Sequence, residues 1–162
     1  MAHRVLRYLT SLGVGLLPGP RGTWGSALTW AAAMLYLEWA AAPLAGWWYG
    51  MVTAAVAALA IASSDAAVRR GVFGPSHDPG RIVIDEAAGM LVALYSTQSL
   101  GPAAVLAFIL FRLFDIFKPF PVGRSQRLPG GWGVVIDDLL AGLYAWATVQ
   151  LVFYCWPWSS VF

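Results

Sequence analysis

The chain has 162 residues, of which 59% are hydrophobic and only 11% are charged, and its formal net charge is +2. An average soluble domain carries about 25% charged residues, so this composition excludes an ordinary soluble domain and favours a membrane protein. The length predicts a single domain over residues 1–162. The one cysteine, Cys155, excludes an intrachain disulfide and a cysteine-based zinc site.

The N-terminal segment carries His3, Arg4 and Arg7 before a short apolar stretch that runs into Pro18. This stretch lacks both a long hydrophobic region and a cleavage motif of small residues. We therefore do not predict a signal peptide.

Five apolar stretches follow, most of them slightly shorter than the roughly 20 residues that cross a bilayer core. Alanine, leucine, valine and methionine dominate them, and glycine or proline separates them, which favours helices over the alternating strands of a barrel. We predict an all-α fold, a polytopic helical membrane bundle, in which the third and fourth stretches could be half-buried helices. The stretches are Ala27–Ala45, Trp47–Ala62, Ala87–Leu100, Pro102–Phe117 and Leu139–Trp156.

The connections between the stretches differ in charge. Nine of the ten basic residues fall in Met1–Ser26, Ser63–Glu86 and Lys118–Asp138, and the other connections carry no charge. Five crossings explain this asymmetry, and the positive-inside rule then places the N-terminus in the cytoplasm and the C-terminus outside. Five tryptophans near the uncharged side suit an interfacial aromatic belt: Trp39, Trp47, Trp48, Trp156 and Trp158.

Five acidic residues lie at the predicted cytoplasmic ends of three stretches: Asp85, Glu86, Asp115, Asp137 and Asp138. Charges close to hydrocarbon are costly and usually mark function. Each also has a simple structural explanation: Asp137 could cap the last helix, Asp85 and Glu86 could favour a helix dipole, and Asp115 could pair with Arg112. Their shared depth favours one carboxylate cluster on the cytoplasmic face. Such a cluster needs a cation, and carboxylate oxygens suit Mg²⁺.

The run Phe111–Pro121 places Arg112, Asp115 and Lys118 on one side of a helix, about 60° apart at each step. Two cations beside a carboxylate suit a phosphate held against a metal. The alternative is a snorkelling lysine with an intrahelical ion pair. His77, in a turn-like segment, is a weaker candidate for metal binding or catalysis.

Two glycine-rich segments add candidate phosphate contacts. Pro20–Ser26 offers the hydroxyls of Thr23 and Ser26 just before the first stretch, where a helix N-terminus attracts anions. It lacks the lysine-containing ending of a Walker A loop, and Ser26 as an ordinary helix cap explains it equally well. Gly130–Gly133, ahead of Asp137, is either a phosphate-side loop or a turn.

Four segments in this order closely resemble the phosphatidylglycerophosphatase A family. They are Gly22–Ser26, Ile84–Met90, Phe111–Pro121 and Gly130–Gly142. The resemblance implies an all-helical enzyme of the bacterial inner membrane that uses Mg²⁺. Its substrate would be the lipid phosphatidylglycerophosphate, whose terminal phosphate it would remove to give phosphatidylglycerol. We expect the bilayer, and no nucleic acid, as the further partner.

From this resemblance and the charge pattern we predict a division of roles. Glu86, Asp115, Asp137 and Asp138 would hold Mg²⁺. Arg112 and Lys118 would act on the phosphate, which Thr23, Ser26 and, more loosely, Arg124 would bind. Asp85 is a candidate to activate water, and a phospho-aspartate intermediate stays open.

Two other classes of function compete with this prediction. A carboxylate-lined ion or proton transporter would also carry acids within a membrane, but a transport path should continue through the midplane, and only Glu38 lies toward the other side. A structural or partner-binding membrane protein would leave the cluster without a purpose. In that case substitution of the acids would cost folding rather than turnover.

Overall fold

The computed structural model describes residues 2–74, 80–98 and 100–155, which form helices and turns with no β-strand among them. The all-α prediction is therefore confirmed for these residues. His77, Trp156 and Trp158 lie outside them. The helices are α1 (Ala2–Ser11), α2 (Arg21–Ala40), α3 (Gly46–Arg69), α4 (Ile84–Ala93), α5 (Pro102–Phe117), α6 (Val122–Ser125) and α7 (Gly131–Cys155), with a 3₁₀ turn at Val14–Leu16.

Each of the five apolar stretches coincides with a helix, although the lengths differ from those predicted. Helices α3 and α7 are long and apolar enough to cross a membrane, judged by length and composition alone. Helix α4 ends at Ala93 rather than at Leu100 and has 10 residues, about half of a typical span. Helix α5 has 16 residues. The five crossings therefore stay a prediction.

Helices α2 and α7 begin well before their apolar stretches, because polar or glycine residues interrupt the apolar run in their opening turns. Helix α2 begins at Arg21 and α7 begins at Gly131. Ser26 and Asp137 thus lie in the second turn of their helices, and the explanation of either residue as a helix cap is wrong. The hydroxyl of Ser26 donates to the Gly22 carbonyl at 2.8 Å.

The beginning of α7 is capped by a residue of another helix. Oδ1 of Asp65, near the end of α3, accepts a hydrogen bond from the backbone N–H of Gly131 at 3.3 Å. The same carboxylate forms an ion pair with Arg69 one turn further along α3. A carboxylate at a helix N-terminus satisfies a free donor and favours the helix dipole, so Asp65 ties α7 to α3.

Helix α1 was not predicted from the sequence. The carbonyl of Thr10, near its end, accepts a hydrogen bond from the N–H of Val83 at 2.9 Å. Thr10 and Ser11 are fully buried, while Val5 and Tyr8 are exposed. Because Val83 directly precedes α4, α1 supports the segment from which α4 begins.

Helix α7 packs along α4, α5 and α3, and α4 also packs against α2 and α3. Two side chains join neighbouring helices through backbone carbonyls: the Tyr49 hydroxyl donates to Leu91 at 2.7 Å, and the Trp30 indole donates to Ala104 at 2.9 Å. Met90, Leu94 and Phe111 are among the fully buried side chains of the main apolar core.

Helices α4 and α7 approach each other backbone to backbone. A Cβ atom added to Gly142 would overlap the carbonyl oxygen of Gly89, and one added to Gly89 would overlap the carbonyl oxygen of Asp138. Only glycine at both positions permits this distance, as small residues do at close helix–helix interfaces. The contact holds the beginning of α4 beside Asp138.

We expect Gly142→Ala to lower the thermal unfolding midpoint of the detergent-solubilised protein. The added methyl group must push α4 and α7 apart, and overpacking of this kind costs about 1–3 kcal/mol. Gly50→Ala is the matched control, since a Cβ there meets no atom within 4 Å. Alanine favours a helix over glycine by about 1 kcal/mol, so the control should unfold at the same temperature or higher. Equal midpoints for the two variants would contradict the tight contact.

Candidate active site

The end of α3, the beginning of α4, the end of α5 and the beginning of α7 meet at one end of the bundle. There they enclose a cavity of about 510 Å³ together with the connection between α6 and α7. The polar side chains that line this cavity are Asp85, Glu86, Asp115, Lys118, Gln126, Asp137 and Asp138. Six of these seven were predicted as site residues, and the structure brings these six together at one cavity.

Three of the carboxylates form a compact group. One oxygen from each of Asp85, Glu86 and Asp138 lies within 4.8 Å of the others. Asp85 and Asp138 are 7% and 4% exposed, and the group lies at the contact of α4 with α7. Oδ1 of Asp85 and Oε2 of Glu86 are buried without a hydrogen-bond partner among the described residues. Carboxylate lone pairs left free in this way suit a divalent cation.

The electrostatics at the beginning of α4 agree with this description. Burial raises the pKa of Asp85 to about 6. Burial, and next the negative charge of Asp85, raises the pKa of Glu86 well above its ordinary value. Both shifts have the same cause, because buried like charges disfavour ionisation. A bound cation would remove this penalty.

The other two carboxylates already have cationic partners. Asp115 forms an ion pair with Arg112 at 2.7 Å, and Asp137 accepts a hydrogen bond from Lys118 at 2.5 Å. Lys118 also lies 3.7 Å from Asp115. Burial alone would lower the pKa of Lys118, but the hydrogen bond to Asp137 and the surrounding carboxylates outweigh it and raise the pKa. Lys118 therefore stays charged at neutral pH.

Helix α2 contributes its first turns to the other side of Glu86. A Cβ atom on Gly22 would overlap a carboxylate oxygen of Glu86 and would lie 3.1 Å from the Arg112 guanidinium. Arg112 donates to the hydroxyl of Ser26 at 3.2 Å. The close approach that glycine permits here thus places Ser26 and Arg112 beside the carboxylate group.

Four predicted phosphate-contacting residues are not among the described residues that line the cavity: Ser26 and Arg112, which contact each other beside it, and also Thr23 and Arg124. Thr23 lies in the first turn of α2 and Arg124 in α6. Gln126 was missed: its side chain donates to Oδ2 of Asp137 at 2.9 Å. Asp65 was missed as well. The neutral amide of Gln126 carries no sequence signal for this role, and Asp65 fell in a predicted connection because α3 continues beyond the predicted stretch to Arg69.

Comparisons with known proteins identify the family of the chain. The model of the phosphatidylglycerophosphatase A family matches residues 8–153. The chain is similar to proteins named phosphatidylglycerophosphatase A from Haemophilus influenzae, at 45% identity over 80 residues, and from Escherichia coli, at 36% over 83 residues. These alignments cover 48% and 50% of this chain, and 49% and 48% of the relatives. The chain is thus aligned with about half the length of these two curated relatives.

A third relative aligns over more of its length. It is a protein from Bacteroides thetaiotaomicron, provisionally named a phosphatidylinositol-3-phosphatase, with 32% identity over 148 residues, 88% of this chain and 89% of the relative. No solved structure matches the chain. The family model spans every helix that contributes to the cavity, and we conclude that the chain belongs to the phosphatidylglycerophosphatase A family.

Proposed function

We propose that this protein is a lipid phosphatase that hydrolyses the terminal phosphomonoester of phosphatidylglycerophosphate to phosphatidylglycerol and phosphate. The observation that carries the proposal is the position of Asp85, Glu86 and Asp138, with oxygens within 4.8 Å of one another, in a cavity that also contains Lys118. Free carboxylates beside a cation are the arrangement that a metal-assisted phosphate reaction requires.

Asp85, Glu86 and Asp138 would hold Mg²⁺. Mg²⁺ prefers oxygen ligands and usually binds a few carboxylates together with water and substrate phosphate. Bound there, it would offset the negative charge of the phosphate and lower the pKa of a coordinated water. In this proposal Asp85 is a metal ligand rather than the residue that activates water. Asp115 and Asp137 are not ligands, because each is paired with a cationic side chain.

Lys118 and Arg112 would bind the phosphate. Each is held by a carboxylate, Asp137 or Asp115, so that its charge is fixed in place before the substrate arrives. Ser26 orients Arg112 through the hydrogen bond at 3.2 Å. Pre-oriented cations stabilise the transition state most when they lie where its negative charge develops. Thr23 and Arg124 would contact the substrate outside the cavity.

The reaction consumes one water molecule. Its oxygen bonds to phosphorus as the bond from phosphorus to the glycerol oxygen breaks, and the two electrons of that bond leave with the glycerol oxygen. A proton from the water passes to a carboxylate of the cavity, and the glycerol oxygen takes up a proton. Lys118 and Arg112 stabilise the phosphate oxygens throughout.

We propose that the bundle spans the bacterial inner membrane several times with the cavity on the cytoplasmic face. Helices α3 and α7 support this by length and composition. The cavity lies at the end of α3 that carries Arg69 and Arg70 and at the end of α5 next to Lys118, and basic residues favour the cytoplasmic side. The lipid tails would then stay in the bilayer while the headgroup enters the cavity.

The Bacteroides relative supports a second candidate substrate, a phosphatidylinositol 3-phosphate. Both lipids carry a phosphomonoester on a polar headgroup, and the site described here would treat the phosphate in the same way. Phosphate release should therefore be measured with both lipids in mixed micelles. We expect the higher kcat/KM with phosphatidylglycerophosphate, and the reverse order would transfer the proposal to the inositol lipid.

We expect phosphate release to require Mg²⁺ and Asp138. Chelation should abolish release and added Mg²⁺ should restore it. Asp138→Asn should lower kcat by more than about a hundredfold, since changing residues that only orient a metal ligand already costs 10–100-fold. Glu38→Gln, an exposed acid of α2, is the control and should retain full activity.

Release that persists in the presence of chelator would refute the metal assignment. An absence of release from the folded, Mg²⁺-supplied wild-type protein would refute the hydrolase, and ion flux into proteoliposomes would then test the carboxylate-lined transporter.

We expect Lys118→Met to lower kcat/KM roughly a hundredfold, because loss of one charged donor to the transition state costs about 10²–10³. Arg70→Met is the matched control: Arg70 is exposed beyond the last turn of α3 and is not among the residues that line the cavity. Steady-state kinetics on mixed micelles gives both values. Equal losses in the two variants would indicate a general charge effect at the membrane surface and would contradict a specific phosphate contact.

A further inference from the structure

The two oxygens of the Asp137 carboxylate have different surroundings. Oδ2 accepts two hydrogen bonds, from Lys118 at 2.5 Å and from the side-chain amide of Gln126 at 2.9 Å. Oδ1 is buried and has no partner among the described residues. The carboxylate is 4% exposed, so both donors determine how a buried group is oriented.

Gln126 reaches Asp137 from the mouth of the cavity. It follows the last residue of α6, and it is largely exposed although its amide contacts a buried oxygen. The backbone around it is held by turns in which Arg127 donates to Arg124 at 3.2 Å and Leu128 donates to Ser125 at 3.0 Å. The backbone that carries this amide is therefore held by the connection between α6 and α7, and the amide itself contacts Asp137.

The two donors differ in what they do when a phosphate enters. Lys118 is a cation with three N–H donors, and a phosphate dianion competes with Asp137 for it. The amide of Gln126 is neutral and has no such attraction to the anion. It can keep its hydrogen bond to Asp137 while Lys118 turns towards the substrate.

From this we infer that Gln126 is a positioning residue: it holds the Asp137 carboxylate in the orientation that keeps Lys118 directed at the substrate phosphate. The inference rests on the proposed function for the identity of the phosphate, but the contact itself is independent of it. Gln126 acts through Asp137 and Lys118. In the hydrogen bonds described, its side chain does not contact Asp85, Glu86 or Asp138, the proposed metal ligands. Without it, Asp137 would be free to rotate whenever Lys118 engages the phosphate.

Kinetics of three single variants test this chain of contacts. Gln126→Met, which keeps the length of the side chain but removes the donor, should lower kcat about fivefold, as expected for one hydrogen bond, and should change KM by less than twofold. Gln126→Glu places a second carboxylate against Asp137 and should lower kcat further. Gln150→Met replaces an exposed glutamine of α7 and should behave as the wild type.

The double variant Gln126→Met/Asp137→Asn separates positioning from a general structural effect. If Gln126 acts through Asp137, the double variant should have the kcat of Asp137→Asn alone, because interacting residues are not additive. A further fivefold loss in the double variant would overturn the inference. So would a Gln126→Met variant with wild-type kcat.

A second readout does not require activity. Lys118 is the only lysine of the sequence, so the acylation of its amine by acetic anhydride can be followed by peptide mass spectrometry. We expect acylation of Lys118 to be severalfold faster in Gln126→Met than in Gln150→Met, since a less firmly held amine reacts faster. Equal rates would overturn the inference even if phosphate release is normal. The wild type could release no phosphate while the acylation rates still differ. That result would count against the proposed function and would support the positioning role.

Discussion

The glycine contact between α4 and α7 determines the geometry of the site. Gly89 and Gly142 let the two backbones touch, with the Asp138 carbonyl against Gly89. Asp85 and Glu86 lie one turn before Gly89 on α4, so this contact decides how far they are from Asp138. A wider separation would leave Asp138 apart from Asp85 and Glu86 instead of in one group able to share a cation.

Charge balance in the cavity leads to the same division of the carboxylates. Five carboxylates line the cavity. Arg112 is paired with Asp115, and Lys118 is paired with Asp137. The three that remain are those whose oxygens lie within 4.8 Å of one another. A divalent cation would offset most of the negative charge of these three carboxylates, and the buried oxygens of Asp85 and Glu86 without hydrogen-bond partners could serve as its ligands.

The sequence predicted the helices and the convergence of the acids because both depend on residue type along the chain. It did not predict where α2 and α7 begin, since boundaries drawn from hydropathy exclude polar first turns such as Arg21–Ser26. The four metal ligands predicted from the sequence, Glu86, Asp115, Asp137 and Asp138, stay a prediction, and the structure adds that Asp115 and Asp137 have cationic partners. The pair of Asp115 with Arg112 lies within α5 and was an alternative visible in the sequence, whereas the pair of Asp137 with Lys118 depends on the distance between α7 and the end of α5, which the sequence cannot supply.

The residues that the sequence missed share a physical feature: each acts on a site residue from another element. Asp65 of α3 caps the helix that carries Asp137 and Asp138, and Gln126 of the α6–α7 connection orients Asp137. Neither needs an unusual residue type or a motif, because a single hydrogen bond of ordinary length is enough. For Gln126 the effect arises from the burial of Asp137, since a carboxylate excluded from water has no solvent to replace a lost donor. In a bundle this apolar, orientation of the few charged groups therefore depends on polar residues at the helix ends, where backbone turns place them independently of the charges they hold.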